Sequence, residues 1–542
     1  MKRIRAALPP NVPEPPWQGR AHRVWFWLLT GCLALYLSFA AYLGGSGLFL
    51  SGAETAAALL WFLLLALSLF AALVRFSQAG KARAAAGERG RLNPRLWLAG
   101  TAVAFGILSA YLAASYPGGV SVDSAVQWTQ AATGRYSNWH PVFHTLLLRL
   151  GWLIRPNYAF VVALQCGAFS VAVGYLAATL AAWGVRPWAL LVAEALAVAS
   201  PIVGHTMMYL WKDNAMTVGV VWLTAQAVNL FFSRGAWLGR TRNALAFGLA
   251  LAFTTLVRHN ALLFTLPLGL IAAVVCRERV LGVLTAAATL LVAVWLVWGP
   301  LYAALGVTYP SNTLEESVGL PMTVVSDIRK VNPDALDAET RAFTDRMAGE
   351  AGWEAYRLHE YNSIKFGATR EAMAGATLAQ VLRMAASAAQ ADPRDAFRAV
   401  AGTTELVWGL GDLGAANVTV RNSGDLPGVP RQAGTLNRLG SAVKAFLAAP
   451  SAVWPVSWYF GNLGVSFAAM LLLSLRALRR NGPRALMLCV PTLCYNLGTM
   501  LVLCGNDARF FSFSPLVCTL SLFALVRDVP AAPDSLGKQG AV

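Results

Sequence analysis

Residues 157–183, NYAFVVALQCGAFSVAVGYLAATLAAW, decide how the chain is read. The stretch holds no Asp, Glu, Lys or Arg, and it shows neither strand alternation nor the periodicity of a helix with one wet face. The roughly 20 residues that cross a bilayer's hydrocarbon core fit within it. Working outward, comparable apolar blocks stand at 24–43, 55–75, 96–115, 188–204, 214–232, 243–258, 261–276, 280–303, 454–475, 485–503 and 510–526. The blocks predict an all-α polytopic membrane protein of about 12 transmembrane helices. The first, 24–43, is too long for the apolar part of a cleaved signal peptide and reads as an uncleaved anchor.

Composition points the same way. Of 542 residues, 57% are hydrophobic and 13% charged, against roughly 45–50% and about 25% in soluble domains. Mean hydropathy is +0.54. Soluble enzymes, coiled coils, disordered scaffolds and single-anchor proteins are excluded. The net charge of +17 would suit a nucleic-acid binder, but the basic residues sit in short clusters between apolar blocks. Examples are Arg75, Lys81 and Arg83, then Arg234, Arg240 and Arg242, then Arg476, Arg479 and Arg480. That is the positive-inside pattern, and no nucleic-acid partner is expected. The seven cysteines fall within or beside apolar blocks without a CxxC, so neither a disulfide framework nor a zinc site is expected.

Threading the blocks from a cytoplasmic basic tail, 1–23, sorts the loops by charge. Loops 76–95, 233–242, 277–279 and 476–484 are basic and fall inside, while 116–156, 205–213, 304–453 and 504–509 fall outside. The expected organisation is a membrane region over 24–303, an extracytoplasmic domain over 304–453, C-terminal membrane helices over 454–526 and a cytoplasmic tail over 527–542. The long loop holds more than half of the 26 acidic residues. Asn332-Pro333 and Asp392-Pro393 place cap residues before a proline at a helix start. Helices are expected over 334–358, 370–391 and 393–409.

The first large outer loop is the place for chemistry. It reads Tyr116-Pro-Gly-Gly-Val-Ser-Val-Asp123-Ser124, then Gln127, then Asn138-Trp139-His140-Pro141 and His144-Thr145. Asp123 is the only acid between Glu88 and Glu194. One reading makes it a general base beside Gln127, Asn138, His140 and His144 at a helix N-terminus. The plainer reading makes it a cap for a helix through Ser124 to Gln130. A helix begun at Pro141 would bring His140 and His144 to one face. The density of polar groups around a lone acid favours the functional reading.

Three other outer edges add polar groups: Trp211-Lys212-Asp213, Arg258-His259-Asn260 and Asn506-Asp507-Ala508-Arg509-Phe510. Lys212, Arg258 and Arg509 would form a set of cations where a lipid phosphate lies, although Asp507 and Arg509 have the spacing to pair with each other. Glu315 and Glu316 are candidate acids for an acceptor or a metal. Glu194, inside an apolar block, marks either a proton path or a carboxyl bonded to a neighbouring helix, and the bonded form is the expectation. No cofactor is required by the sequence; a divalent cation and its ligands are left open.

These residues resemble the membrane glycosyltransferases of the GT-C superfamily, whose first large outer loop carries an essential acid. Tyr116-Pro-Gly, Asp123-Ser124, Gln127, His140-Pro141 and His144-Thr145 are similar to the signature loop of a bacterial GT-C-like family. Trp211-Lys212-Asp213, Arg258-x-Asn260 and Asp507-x-Arg509-Phe510 look like its later motifs. More distantly the chain resembles protein mannosyltransferases and lipid A aminoarabinose transferases. It differs from both in its two extra leading spans and in having one loop acid rather than an adjacent pair.

The resemblance implies transfer of a sugar from a polyprenyl-phosphate donor to a glycan, lipid or protein acceptor on the outer face of a bacterial cytoplasmic membrane. Asp123 would be the catalytic base. Gln127, Asn138, His140, His144, Lys212, Asp213, Arg258, Asn260, Asp507 and Arg509 would hold substrate. A lipid flippase or transporter is the rival from another class, and it would place polar residues at mid-membrane in related halves. A polysaccharide ligase or polymerase, and a non-catalytic scaffold, are the remaining alternatives.

Overall fold

A computed structural model describes residues 20–46, 52–78, 83–84, 90–310, 313–411 and 456–529, with a few isolated positions between 412 and 455. Most of the basic tail, most of the 412–455 stretch and the C-terminal tail beyond 529 lie outside the described residues. Among those described, the chain is helical throughout. Its only strands are Arg83–Ala84 and Arg527–Asp528, which pair in parallel.

Each of the twelve apolar blocks forms helix, but five helices are long and apolar enough to cross a membrane: Pro94–Ala114, Tyr158–Ala182, Lys212–Phe232, Arg277–Ala304 and Ala508–Leu525. The expectation of about twelve is met only in part. Local chemistry shortens several others. In the 188–204 block, Pro201 keeps Ser200 extended and divides the run into Pro187–Ala199 and Pro201–Thr206. The 243–258 block stops as Thr241–Val257 because Arg258 turns extended.

The centre of the bundle is the Tyr158–Ala182 helix. It is apolar on every side and packs against Pro94–Ala114 and Lys212–Phe232. Glycine allows the first approach, because a Cβ on Gly174 would lie 2.6 Å from the Thr101 nitrogen and the Trp97 carbonyl oxygen. The Lys212–Phe232 helix is buried along nearly its whole length. Its 21 residues run about 31 Å at the α-helical rise. Arg234, Glu278 and Arg484 approach one another beyond its C-terminal end, and the conspicuous polar residues of the sequence gather at its N-terminal end.

Over that N-terminal end lies a second layer of helices. Gly319–Val331, Ala338–Met347, Leu378–Ala391 and Pro393–Trp408 enclose their own core, which includes Val325, Ile328, Phe343, Trp353 and Tyr361. Shorter elements replace two of the expected helices. The 334–358 stretch divides into Ala338–Met347, whose cap Asp337 accepts from the Thr340 N–H, and Glu350–Ala355. The 370–391 stretch is cut at Gly375 into Ala368–Ala374 and Leu378–Ala391. The 393–409 expectation is a single helix, Pro393–Trp408, capped by Asp392. This layer grips the bundle through the loop after Leu486–Met500. The Asn362 N–H donates to the Cys504 carbonyl at 2.8 Å, and Cys504 is buried among the layer's apolar residues.

Candidate active site

Asp123 sits in the first turn of a helix, Val122–Thr133, that does not need it as a cap. Ser121 and Ser124 form a capping box, each side chain bonding the other's backbone N–H. The carboxylate is left for its neighbours. Arg509 Nη1 lies 3.0 Å and Lys212 Nζ 3.7 Å from the same Asp123 oxygen, Oδ2. Its side chain keeps 29% exposure, so it meets both the cations and solvent.

The loop bearing Asp123 is stapled to the start of the Lys212–Phe232 helix. Gly119 and Tyr209 form a β-bridge, and the Gly119 N–H donates to the Met208 carbonyl at 2.9 Å. The Tyr158 hydroxyl donates to the Gly119 carbonyl at 2.6 Å and accepts from the Leu210 N–H. Trp211 Nε1 donates to Ser121 Oγ at 2.7 Å, while the Trp211 ring stacks on Tyr209 at 3.9 Å. Lys212, the next residue, is thereby aimed at Asp123.

Each cation has further partners. Lys212 Nζ donates to His140 Nδ1 at 3.0 Å, which puts the ring proton of a neutral His140 on Nε2. Arg509 Nε pairs with Asp507 Oδ2 at 2.8 Å, and Asp507 also accepts the Arg509 backbone N–H. The Arg509 guanidinium lies over Trp211 at 5.0 Å and Phe510 at 4.9 Å. Arg258 also lies over the Phe510 ring, at 4.8 Å. It is salt-bridged to Asp213 and donates to Asn260, whose amide reaches Thr499 Oγ1 at 3.3 Å. Eight of the residues singled out in the sequence thus join one network: Asp123, His140, Lys212, Asp213, Arg258, Asn260, Asp507 and Arg509.

Among the described residues no hydrogen bond joins the other three to that network. Gln127 donates to Thr145 Oγ1 at 3.0 Å, tying Val122–Thr133 to the next helix, Val142–Ile154. Asn138 gives its backbone N–H to the Thr308 carbonyl at 2.8 Å. His144 is buried within Val142–Ile154, and its Nδ1 has no hydrogen-bond partner among the described residues. His140 precedes Pro141, the cap of that helix, so it stands just before the helix rather than on it, yet His144 lies within electrostatic reach of both His140 and Lys212. Pro141 itself takes the cap position instead of the first helical turn.

Arg258 also departs from the expected set of open cations. Its side chain is 5% exposed and that of Asp213 is 3% exposed, so the pair is closed to solvent. Asp507 and Arg509 do pair with each other, but that pairing does not exhaust Arg509. Glu194 lies elsewhere, between Pro187–Ala199 and Pro94–Ala114. Neither carboxyl oxygen has a hydrogen-bond partner among the described residues, contrary to the expected bond to a neighbouring helix. Gly100 of the Pro94–Ala114 helix packs against the carboxyl and has no side chain to donate to it.

The overlying layer brings in the two acids expected at 315 and 316, together with two cations that spacing alone did not reveal. Glu316 lies within electrostatic reach of Lys212 and Arg509 and pairs with Lys365 at 2.8 Å. Glu315 is buried against Arg370 at 3.0 Å, and Arg370 lies over Trp139 at 5.0 Å, beside His140. Lys365 precedes Gly367 and Arg370 follows it in the short helix Ala368–Ala374, a stretch with no motif that would set them apart in the sequence.

Burial pushes the Asp123 carboxyl up, but Arg509 and Lys212 pull harder the other way and hold it well below the usual carboxylate range. Burial and then the Lys212 ammonium push His140 down to about 3, against a smaller upward pull from Asp123. At neutral pH the site therefore holds a carboxylate and a neutral imidazole. Such a constellation can accept a proton, donate hydrogen bonds to an anion and neutralise charge that develops on a leaving oxygen. Among the described residues no group of three or more His, Cys, Asp or Glu side chains could hold a metal ion. The chain matches no known protein-family description, and no curated protein matches it.

Proposed function

We propose that the chain is a membrane glycosyltransferase of the GT-C type, moving a sugar from a polyprenyl-phosphate donor to an acceptor hydroxyl. The observation that carries this reading is the meeting of Asp123 with Lys212 and Arg509 at one end of an apolar helical bundle, beneath a polar layer. A lipid-borne phosphate needs an apolar route for its chain and cations near the bilayer surface, and this arrangement suits both. The twelve apolar helices are read as spans, the short ones lengthened by the turns that flank them. The basic loops beyond Phe232 then face the cytoplasm by the positive-inside bias, and the carboxylate site faces outward.

In this reading Asp123 takes the proton of the acceptor hydroxyl. The acceptor oxygen forms a bond to the anomeric carbon as the bond from that carbon to the phosphate oxygen breaks. The electron pair leaves on the phosphate, where Lys212 and Arg509 offset the charge and His140 Nε2–H is a further donor. Arg258 and Asp213, closed to solvent, hold Phe510 and the start of the Lys212 helix in place. A single displacement inverts the sugar's configuration. The crowding of polar groups at one end supports surface chemistry over transport.

The test is Asp123→Asn in cells and in purified protein. Lipid-linked sugars should accumulate and one envelope glycan should lose a residue, with folded protein at its normal level. Undiminished transfer by the purified variant would remove Asp123 from the reaction.

A further inference from the structure

The charges at the site cancel. Lys212, Arg258 and Arg509 face Asp123, Asp213 and Asp507, and each cation is within salt-bridge distance of at least one of those carboxylates. An incoming anion finds no spare positive charge unless one of the three acids gives way. The structure singles out which one.

Asp213 is sealed with Arg258, so moving it would strand a buried guanidinium. Asp507 is held twice, by Arg509 Nε and by the backbone N–H that it caps. Asp123 differs from both. Its helix start is satisfied by the Ser121–Ser124 box, and Lys212 and Arg509 are its only side-chain partners among the described residues. It is also part-exposed, so its carboxylate has solvent to turn into. The cations, by contrast, are fixed in place. Arg509 is flanked by Trp211 and Phe510, and Lys212 is tethered to His140.

We propose that Lys212 and Arg509 form a phosphate site which the Asp123 carboxylate fills at rest, and that a phosphate headgroup binds by taking over both cations and releasing that carboxylate. Resting on the functional reading above, this makes donor binding the event that arms the base. While paired to two cations, Asp123 is a poor proton acceptor. Once a phosphate has replaced it, the cations no longer favour its charged form and a second anion stands beside it, and both changes raise its basicity. The empty site is thereby kept from activating an acceptor or water before the donor arrives.

The experiment compares binding of inorganic phosphate and of farnesyl phosphate to the purified full-length protein in nanodiscs, for the natural chain and for Asp123→Asn. Tryptophan fluorescence reports occupancy, because Trp211 lies against Arg509. Removing the resident anion should tighten binding about tenfold or more, whereas Arg509→Gln should weaken it by a similar factor. A gain for farnesyl phosphate alone would assign the site to lipid-borne phosphate, and a gain for both to the headgroup itself; either supports the proposal. Equal or weaker binding by folded Asp123→Asn overturns it. If that variant does not fold, Asp123→Ser serves in its place, judged by the same criterion. Tighter binding by a variant that still transfers sugar undiminished would keep the anion site and remove Asp123 as the base, so the two ideas fail separately.

Discussion

Arg258 and Asp213 form a salt bridge that is almost wholly closed to solvent, where the end of Thr241–Val257 meets the start of Lys212–Phe232. A buried pair of this kind contributes little net stability as a pair, but breaking it from one side leaves a buried charge without a partner. Arg258→Ala should therefore destabilise the protein by about 3–5 kcal/mol. Combining Arg258→Met with Asp213→Leu should recover most of that loss. Thermal unfolding in detergent is the measurement; a single variant as stable as the natural chain would refute the buried-charge account.

Trp211 serves two neighbours at once, donating to Ser121 and lying over Arg509. Trp211→Leu removes a hydrogen bond and a cation–π contact, each worth about 1 kcal/mol. Farnesyl phosphate affinity should fall by about tenfold, with a smaller change in melting temperature. An unchanged affinity would show that Arg509 is held without the indole.

Gly119 meets the Tyr209 ring so closely that a Cβ would lie 2.5 Å from it. The ring is pinned by its stack on Trp211 and cannot withdraw freely. Gly119→Ala should displace the Tyr209–Trp211 pair at a cost of about 1–3 kcal/mol, seen as lower thermal stability and weaker phosphate binding together. Loss of neither would mean that the loop relaxes without consequence.

His140 makes the acid side of the stability curve informative. Its pKa is about 3 in the folded protein, below an unfolded value near 6.5. The unfolded chain therefore binds a proton that the folded chain does not, so stability is fully present above about pH 6.5 and falls as the pH drops toward 3. The slope from this one group approaches about 1.4 kcal/mol per pH unit. Asp123, also lowered, adds its loss only below the ordinary carboxylate range. His140→Gln should flatten unfolding between pH 6 and 4; an identical curve would show that His140 does not resist protonation.

Much of this architecture is legible in the chain itself, and the illegible parts share a cause. Blocks such as 157–183 announce helices because burial on every side leaves no wet face to pattern. The cluster near Asp123 is legible because polar residues are rare in so apolar a chain. What spacing cannot show is which of them pair. Asp123 and Arg509 stand 386 positions apart, and Asn260 and Thr499 stand 239 apart. The sealing of Arg258 by Asp213 depends on two helix ends meeting, so an apparently open cation proved to be an internal one. The shorter helices of the 334–391 stretch follow from local cues, Asp337 and Gly375, that compete with a longer amphipathic run.

The bond from the Asn362 N–H to the Cys504 carbonyl joins the covering layer to the hairpin that presents Asp507 and Arg509. Cys504 is embedded in that layer while Arg509 stands only five positions further along, so the cover anchors the root of the segment that carries the guanidinium. The placement of that cation is thus set from above the bundle as well as from within it, so a change in the covering helices would be felt at Asp123.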